Sequence, residues 1–229
     1  ALLGLMNMVL HGVTAPNVAR RNTLEENIRS VRERYDVVVT NPPFGGTENP
    51  QIQSNFPVRA NATELLFVQH IMKKLKMRDG ARCGMVVPEG TLFRGGAFAT
   101  VKQDLLEAFD LHTVVSLPPG TFAPYSDVKT ALLFFDRPGP TREIWYYELP
   151  LPEGLKKFRK GSPIQDEHFD KARALWADWN AYRQSGGPEP EDQARLPRPR
   201  LGFYGVIDEV MVFERALTPE EVGTLSVSP

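Results

Sequence analysis

A single cysteine, Cys83, stands among 229 residues, so no disulfide can staple the chain internally. That scarcity fits a reducing, cytoplasmic compartment. Long apolar runs are missing as well. No stretch approaches the ~18 residues that crossing a bilayer requires, so none of these segments is expected to span a membrane as a helix. The apolar opening, Ala1 to Gly12, has neither a basic leader nor a small-residue cleavage site, which excludes a secretory signal peptide. An excess of one charge is lacking too: 27 Lys and Arg against 28 Asp and Glu leave a formal net charge of -1. A nucleic-acid partner would have to be met by a local basic patch. His11, His70, His112 and His168 are scattered without metal-ligand spacing, and no metal is expected.

What remains is an ordinary globular composition, 41% hydrophobic and 24% charged. The length suits one sizeable domain and a small appendage. Leu2, Leu3, Met6, Val9 and Leu10 recur at helical spacing, and Gly12 is a natural stop. The chain opens on Ala inside that pattern, which suggests a start within a longer protein. Asn17 to Asn22 reads as a short strand. Thr23 and Glu26 form a capping box opening a helix to about Arg34. Tyr35 to Thr40 then carries three consecutive valines, the pattern of a strand buried on both faces.

Leu65, Val68, Ile71, Met72 and Leu75 mark an amphipathic helix ending near Gly80. Phe98, Val101, Leu105 and Phe109 mark another. Cys83 to Pro88, His112 to Leu117, Thr130 to Phe135 and Ile144 to Tyr147 read as strands. Strands alternating with helices imply an α/β sheet covered on both faces. The strands at 112–117 and 130–135 have no helix between them, so one of them is expected to run antiparallel. Residues 1–150 thus form one domain. Residues 151–200 read as a polar helical segment and linker, and 201–229 as a short C-terminal unit.

The segment Asn41-Pro42-Pro43-Phe44-Gly45-Gly46 follows the valine strand. In an open α/β sheet, ligands bind beyond the carboxyl ends of strands. The asparagine amide oxygen and a proline carbonyl are both hydrogen-bond acceptors, and each proline holds the preceding residue extended. Two acceptors converging on one NH₂ group draw its lone pair out of conjugation with the ring, so the nitrogen attacks a sulfonium methyl more readily. Phe44 can stack on the face of a base turned out of the duplex.

"YDVVVTNPPFGG" resembles the catalytic motif of amino-group DNA methyltransferases. The surroundings are similar to the modification subunit of type I restriction-modification systems. The similar stretches are "MNMVLHGV", "NTLEENI", "NPPFGG", "FPVRANATELLFVQHIMKKLK", "GMVVPEGTLF", "LHTVVSLPPGTFAP", "VKTALLFFDR" and "PTREIWYYEL", in the family's order over about residues 1 to 150. The resemblance implies a Rossmann-like, mostly parallel, S-adenosylmethionine-dependent methyltransferase fold lacking its first strands. It implies adenine-N6 methylation of DNA, with specificity and restriction subunits as partners in a bacterial or archaeal cytoplasm. Asn41, Pro42, Pro43 and Phe44 would be catalytic. Asn22, Thr23, Leu24 and Asn41 would face the cofactor, and Phe44, Gly45, Lys129 and Thr130 the target base.

The family's glycine-rich cofactor loop has no counterpart, since no G-x-G occurs in residues 1 to 40. The chain is therefore expected to be incomplete as a stand-alone enzyme. Two alternatives stay open: a protein-glutamine N-methyltransferase with a related turn, or a non-catalytic interaction fragment. "GVIDEVMVFERALTPEEV" is similar to the closing strand of laminin-G-like jelly rolls, but one strand makes no sandwich. Lys156, Lys157, Arg159 and Lys160 read as a solvated face, with DNA phosphates as the alternative. Trp176 and Trp179 read as a packing or docking face. Leu117 to Gly120 reads either as a border of the cleft or as a plain turn, and Cys83 as a small buried residue.

Overall fold

A computed structural model describes residues 2–31 and 35–185 and the backbone of Arg195–Pro197. The expected end of a helix at Arg34 and the jelly-roll-like strand in 201–229 lie outside the described residues. The elements are α1 (Leu2–Leu10), two 3-10 turns (Thr23–Glu25 and Ile28–Ser30), β1 (Val37–Thr40), α2 (Pro50–Gln53), α3 (Thr63–Lys74), β2 (Arg82–Pro88), α4 (Gly90–Phe93), α5 (Ala97–Ala108), β3 (Asp110–Ser116), β4 (Thr130–Asp136), β5 (Glu143–Glu148), α6 (Asp170–Ser185) and β6 (Arg195–Pro197).

The strands form one sheet in the order β1-β2-β4-β3-β5-β6. β1 pairs parallel with β2, and β3 with β5. β4 runs antiparallel to both β2 and β3, and β6 antiparallel to β5. The expected antiparallel strand is β4, and with β6 also reversed the sheet is mixed rather than mostly parallel.

Alternation along β2 and β4 separates two faces. Cys83, Met85 and Val87 point one way with Ala131, Leu133 and Phe135, into a core shared with Leu65, Leu66, Val68 and Ile71 of α3 and Val101 and Leu105 of α5. On the opposite face, Val115, Leu132, Phe134 and Trp145 pack under α6 through Ala172, Trp176 and Trp179. The Trp179 indole N–H donates to the His112 carbonyl at 3.2 Å, and that of Trp176 to Thr113 Oγ1 at 3.0 Å. Arg183 bridges Asp110 and Asp136 at 2.7 and 2.8 Å. The polar stretch after residue 150 therefore supplies a helix that packs on the second face. Its aromatic patch packs on the sheet, and charged groups surround that contact.

Three sequence expectations change. Residues 17–22 form no strand. Asn22, rather than Thr23, caps the next turn, its Oδ1 accepting from Leu24 N–H at 3.1 Å, and Asn27 caps the one after. Short polar side chains of this type favour turns over longer helices by bonding to nearby backbone. The valine strand is not buried on both faces. Val38 packs against the main core, whereas Val37 is 49% and Val39 84% exposed. They border an open trough of about 700 Å³ that Gly84, Val86, Phe134 and Trp176 also line. α1 forms as expected but buries none of its residues.

Candidate active site at the carboxyl edge of the sheet

Strand direction brings five segments to one edge. β1, β2, β3 and β5 end there, and the reversed β4 begins there, with Thr40 beside Met85, Pro88 beside Thr130 and Ser116 beside Ala131 and Glu148. The Asn-Pro-Pro-Phe turn leaves β1 at this edge. Asn41 and Pro43 are exposed, Pro42 is buried and Phe44 is half-buried. Neither the Asn41 side chain nor the Pro42 carbonyl has a hydrogen-bond partner among the described residues. The Asn41 side chain, exposed, remains available to a ligand.

The turn is held from behind by α3. Thr63 N–H donates to the Gly46 carbonyl at 3.1 Å, and a Cβ on Gly46 would lie 2.5 Å from Thr63 Oγ1. Only glycine fits so close an approach. Gly45 is exposed beside it. Phe44 meets Phe122 edge to face, their ring centroids 5.5 Å apart. Phe122 sits on the loop after β3, so the Pro118-Pro119-Gly120 turn does border the cleft.

A polar network lies along the same edge. Ser116 Oγ donates to Glu89 Oε1 at 2.6 Å. Lys129 Nζ lies 3.2 Å from Glu89 and 3.4 Å from Glu148. Partial burial works against the Lys129 charge, but the two carboxylates outweigh it and raise its pKa. Burial, reinforced by the same carboxylates, raises Tyr146. Thr130 is fully buried and its Oγ1 has no partner among the described residues. Phe122, Glu89, Ser116 and Glu148 were not identified from sequence. The signal for Glu89 was its place directly after a strand.

Asn22, Thr23 and Leu24 pack behind α3. Leu24 is 1% exposed and lies in the core, and its N–H is held by Asn22. Thr23 Oγ1 is 3.0 Å from His70 Nε2. Burial, then Lys74, pulls the His70 pKa from 6.5 down to about 4. The fold thus favours the neutral imidazole. Its contribution is complete above about pH 6.5 and is lost as pH falls toward 4. Urea midpoints at pH 7 and pH 5 should show the wild type losing on the order of 1 kcal/mol more than His70→Gln. Equal losses in both proteins would remove His70 as the source. Cys83 is inert by comparison, its thiol pushed by burial to about 12.

Known proteins bear on this geometry. The family model for N-6 DNA methylase matches residues 1–197. The chain belongs to the N-6 DNA methylase family. This family member is 43% identical over 180 residues to the type I restriction enzyme EcoEI methylase subunit of Escherichia coli, a match covering 77% of this chain and 36% of the relative. It is 30% identical over 190 residues to the EcoKI methylase subunit of Escherichia coli K12, covering 77% and 35%. It shares 68% identity and a TM-score of 0.87 with a solved chain from work on assembly and conformational transition of the type I R-M system, covering 99% of this chain and 49% of that one. The fold is accordingly the α/β fold of that solved type I R-M chain. The chain spans about a third of the length of the curated relatives it matches.

Membership in a methyltransferase family implies S-adenosylmethionine. The groups present fit it poorly. Asn22 Oδ1 is committed to its cap, Thr23 Oγ1 lies against His70, and Leu24 is in the core. Asn41 alone of the four expected residues presents a free polar side chain at the strand ends. A cofactor site needs groups beyond the described residues. Among the described residues, no group of three or more His, Cys, Asp or Glu could hold a metal, and no helix is long and apolar enough to cross a membrane.

Proposed function

We propose that this chain is the target-base half of an adenine-N6 DNA methyltransferase, working as part of a type I modification subunit. The observation that carries the reading is the exposed Asn41 at the end of β1, rigidly followed by two prolines and the half-buried Phe44. The Asn41 amide oxygen and the Pro42 carbonyl accept the two N–H bonds of the everted adenine. Electron density is thereby localised on N6, which becomes the nucleophile. No strong base is needed, because the proton becomes acidic only as the new N–C bond forms. Phe44 offers a ring face for the base, and Phe122 limits the slot from the side. Lys129, fixed between Glu89 and Glu148, stands at the same edge to meet the nucleotide.

S-adenosylmethionine would supply the electrophilic methyl group from a site completed by other residues. DNA is the substrate and specificity and restriction subunits are the partners, in keeping with the type I names of the relatives.

The test is transfer of labelled methyl to unmethylated duplex DNA, with and without a complementary N-terminal portion carrying the glycine-rich loop. Label at adenine N6 is expected with both portions present. Label on protein glutamine would overturn the reading in favour of amide methylation, and no transfer in any combination would leave an interaction fragment. Stacking contributes about 1–3 kcal/mol per base, so Phe44→Ala should weaken binding of a duplex with 2-aminopurine at the target by roughly ten- to a hundredfold. Unchanged binding, with the base still everted, would remove Phe44 from the slot.

A further inference from the structure

The basic segment after β5 is fastened to the candidate site. Phe158 interrupts it and is 1% exposed, with its ring against His168 at 5.1 Å. Its N–H donates to the Pro119 carbonyl at 2.9 Å. Its own carbonyl lies where a Cβ on Gly120 would be, 2.1 Å away, and Gly120 has φ +76°. Residue 120 must therefore be glycine for the two segments to meet. Two residues on, Phe122 touches Phe44. Lys157 adds a second tie, to Asp127 of the same loop at 3.3 Å.

With Phe158 turned inward, its charged neighbours turn outward. Lys156, Arg159 and Lys160 are exposed, and none forms an ion pair among the described residues. Arg159 and Ser162 exchange backbone hydrogen bonds at 3.1 and 2.9 Å, which makes a tight turn with Lys160 and Gly161 at its tip. The loop that receives Phe158 also presents Tyr125, 93% exposed. Three unpaired cations and an exposed aromatic ring thus lie on a rigid rim, joined through Phe158, Gly120 and Phe122 to the ring that faces the base. The whole chain carries a net charge of -1, so this concentration is local.

We infer that Lys156, Arg159 and Lys160 form a strip that grips phosphates of double-stranded DNA beside the everted nucleotide. Duplex DNA carries about one charge per 1.7 Å of axis, which suits several cations on one short segment. Phosphate contacts fix position and carry no sequence information. The strip therefore aligns the duplex over the slot and leaves sequence choice elsewhere. The inference rests on the adenine-methylation reading above.

The decisive experiment measures duplex binding by the chain against salt concentration. For the triple variant Lys156→Ala, Arg159→Ala, Lys160→Ala, the slope of log affinity against log salt should shrink by about 2.7, or 0.9 per lost phosphate contact. All three side chains are exposed, so the thermal midpoint should hold. Lys171→Ala, an exposed lysine on α6, should leave the slope alone. An unchanged slope in the triple variant, an equal effect from Lys171→Ala, or no salt-dependent binding by the wild type would each overturn the strip. The two proposals fail separately. If the triple variant shortens the slope but no adenine is methylated even with the complementary portion, the strip stands and the catalytic reading falls. If adenine is methylated while the slope is unmoved, the reverse holds.

Discussion

Asn41→Ala should lower adenine methylation by about 100- to 1000-fold while leaving the fold intact. The side chain makes no hydrogen bond to any described residue, and Asn41 is exposed at the end of β1. Truncation therefore leaves no cavity and no unsatisfied partner, and the stability change should fall within about 0.5 kcal/mol. The loss comes at the reacting centre. A preorganised polar group aimed at the place where charge develops contributes about 10²–10³ in rate. With one of two acceptors gone, the adenine amino group stays conjugated and poorly nucleophilic. Because the interaction strengthens as the nitrogen attacks, kcat should fall more than KM rises. The measurement is single-turnover methyl transfer with the complementary N-terminal portion present, beside a urea melt. Full transfer by Asn41→Ala would end the catalytic assignment. Lost transfer together with a lowered melting midpoint would show the residue to be structural instead.

Trp179→Ala should cost about 3–5 kcal/mol. The indole is 1% exposed, packs in the cluster of Val115, Leu117 and Trp145, and donates to the His112 carbonyl. Truncation removes a large apolar volume and strands that carbonyl in a buried setting. Trp179→Phe keeps most of the volume but drops the donor, so it should fall between wild type and Ala. Urea unfolding at pH 7 measures the series. A Trp179→Ala effect below about 1 kcal/mol would show that α6 does not pack on the sheet, since a buried aromatic truncation of that size is otherwise unaccounted for.

The α/β alternation and the Asn-Pro-Pro-Phe turn at a strand end were both legible in the order of residues, for different reasons. β2, β4, α3 and α5 carry periodic apolar patterns whose burial the fold honours; the boundaries of β2, β4 and α5 moved by a residue or two, whereas α3, expected to run to near Gly80, ends at Lys74. The Asn-Pro-Pro-Phe turn was legible because proline restricts its neighbours whatever the tertiary context. Three things were not legible. Val37 and Val39 look buried on pattern alone, yet a strand's exposure depends on what packs beside it. Asn22 and Asn27 compete for nearby N–H groups, so the Thr23–Glu26 pattern yields two short turns in place of one helix. Glu89, Ser116 and Lys129 come from three segments, and pairing β2, β4 and β3 in register is what brings them together. No spacing along the chain encodes that meeting.

The bare flank of β1 has a consequence for handling the isolated polypeptide. Val39, 84% exposed, stands on a terminal strand whose outer backbone groups face no neighbouring strand among the described residues. Such a rim templates intermolecular pairing. Solutions of the chain should accordingly turn cloudy above a threshold concentration, at a rate steeply dependent on dose. A lysine at position 39 should raise that threshold without touching the base slot.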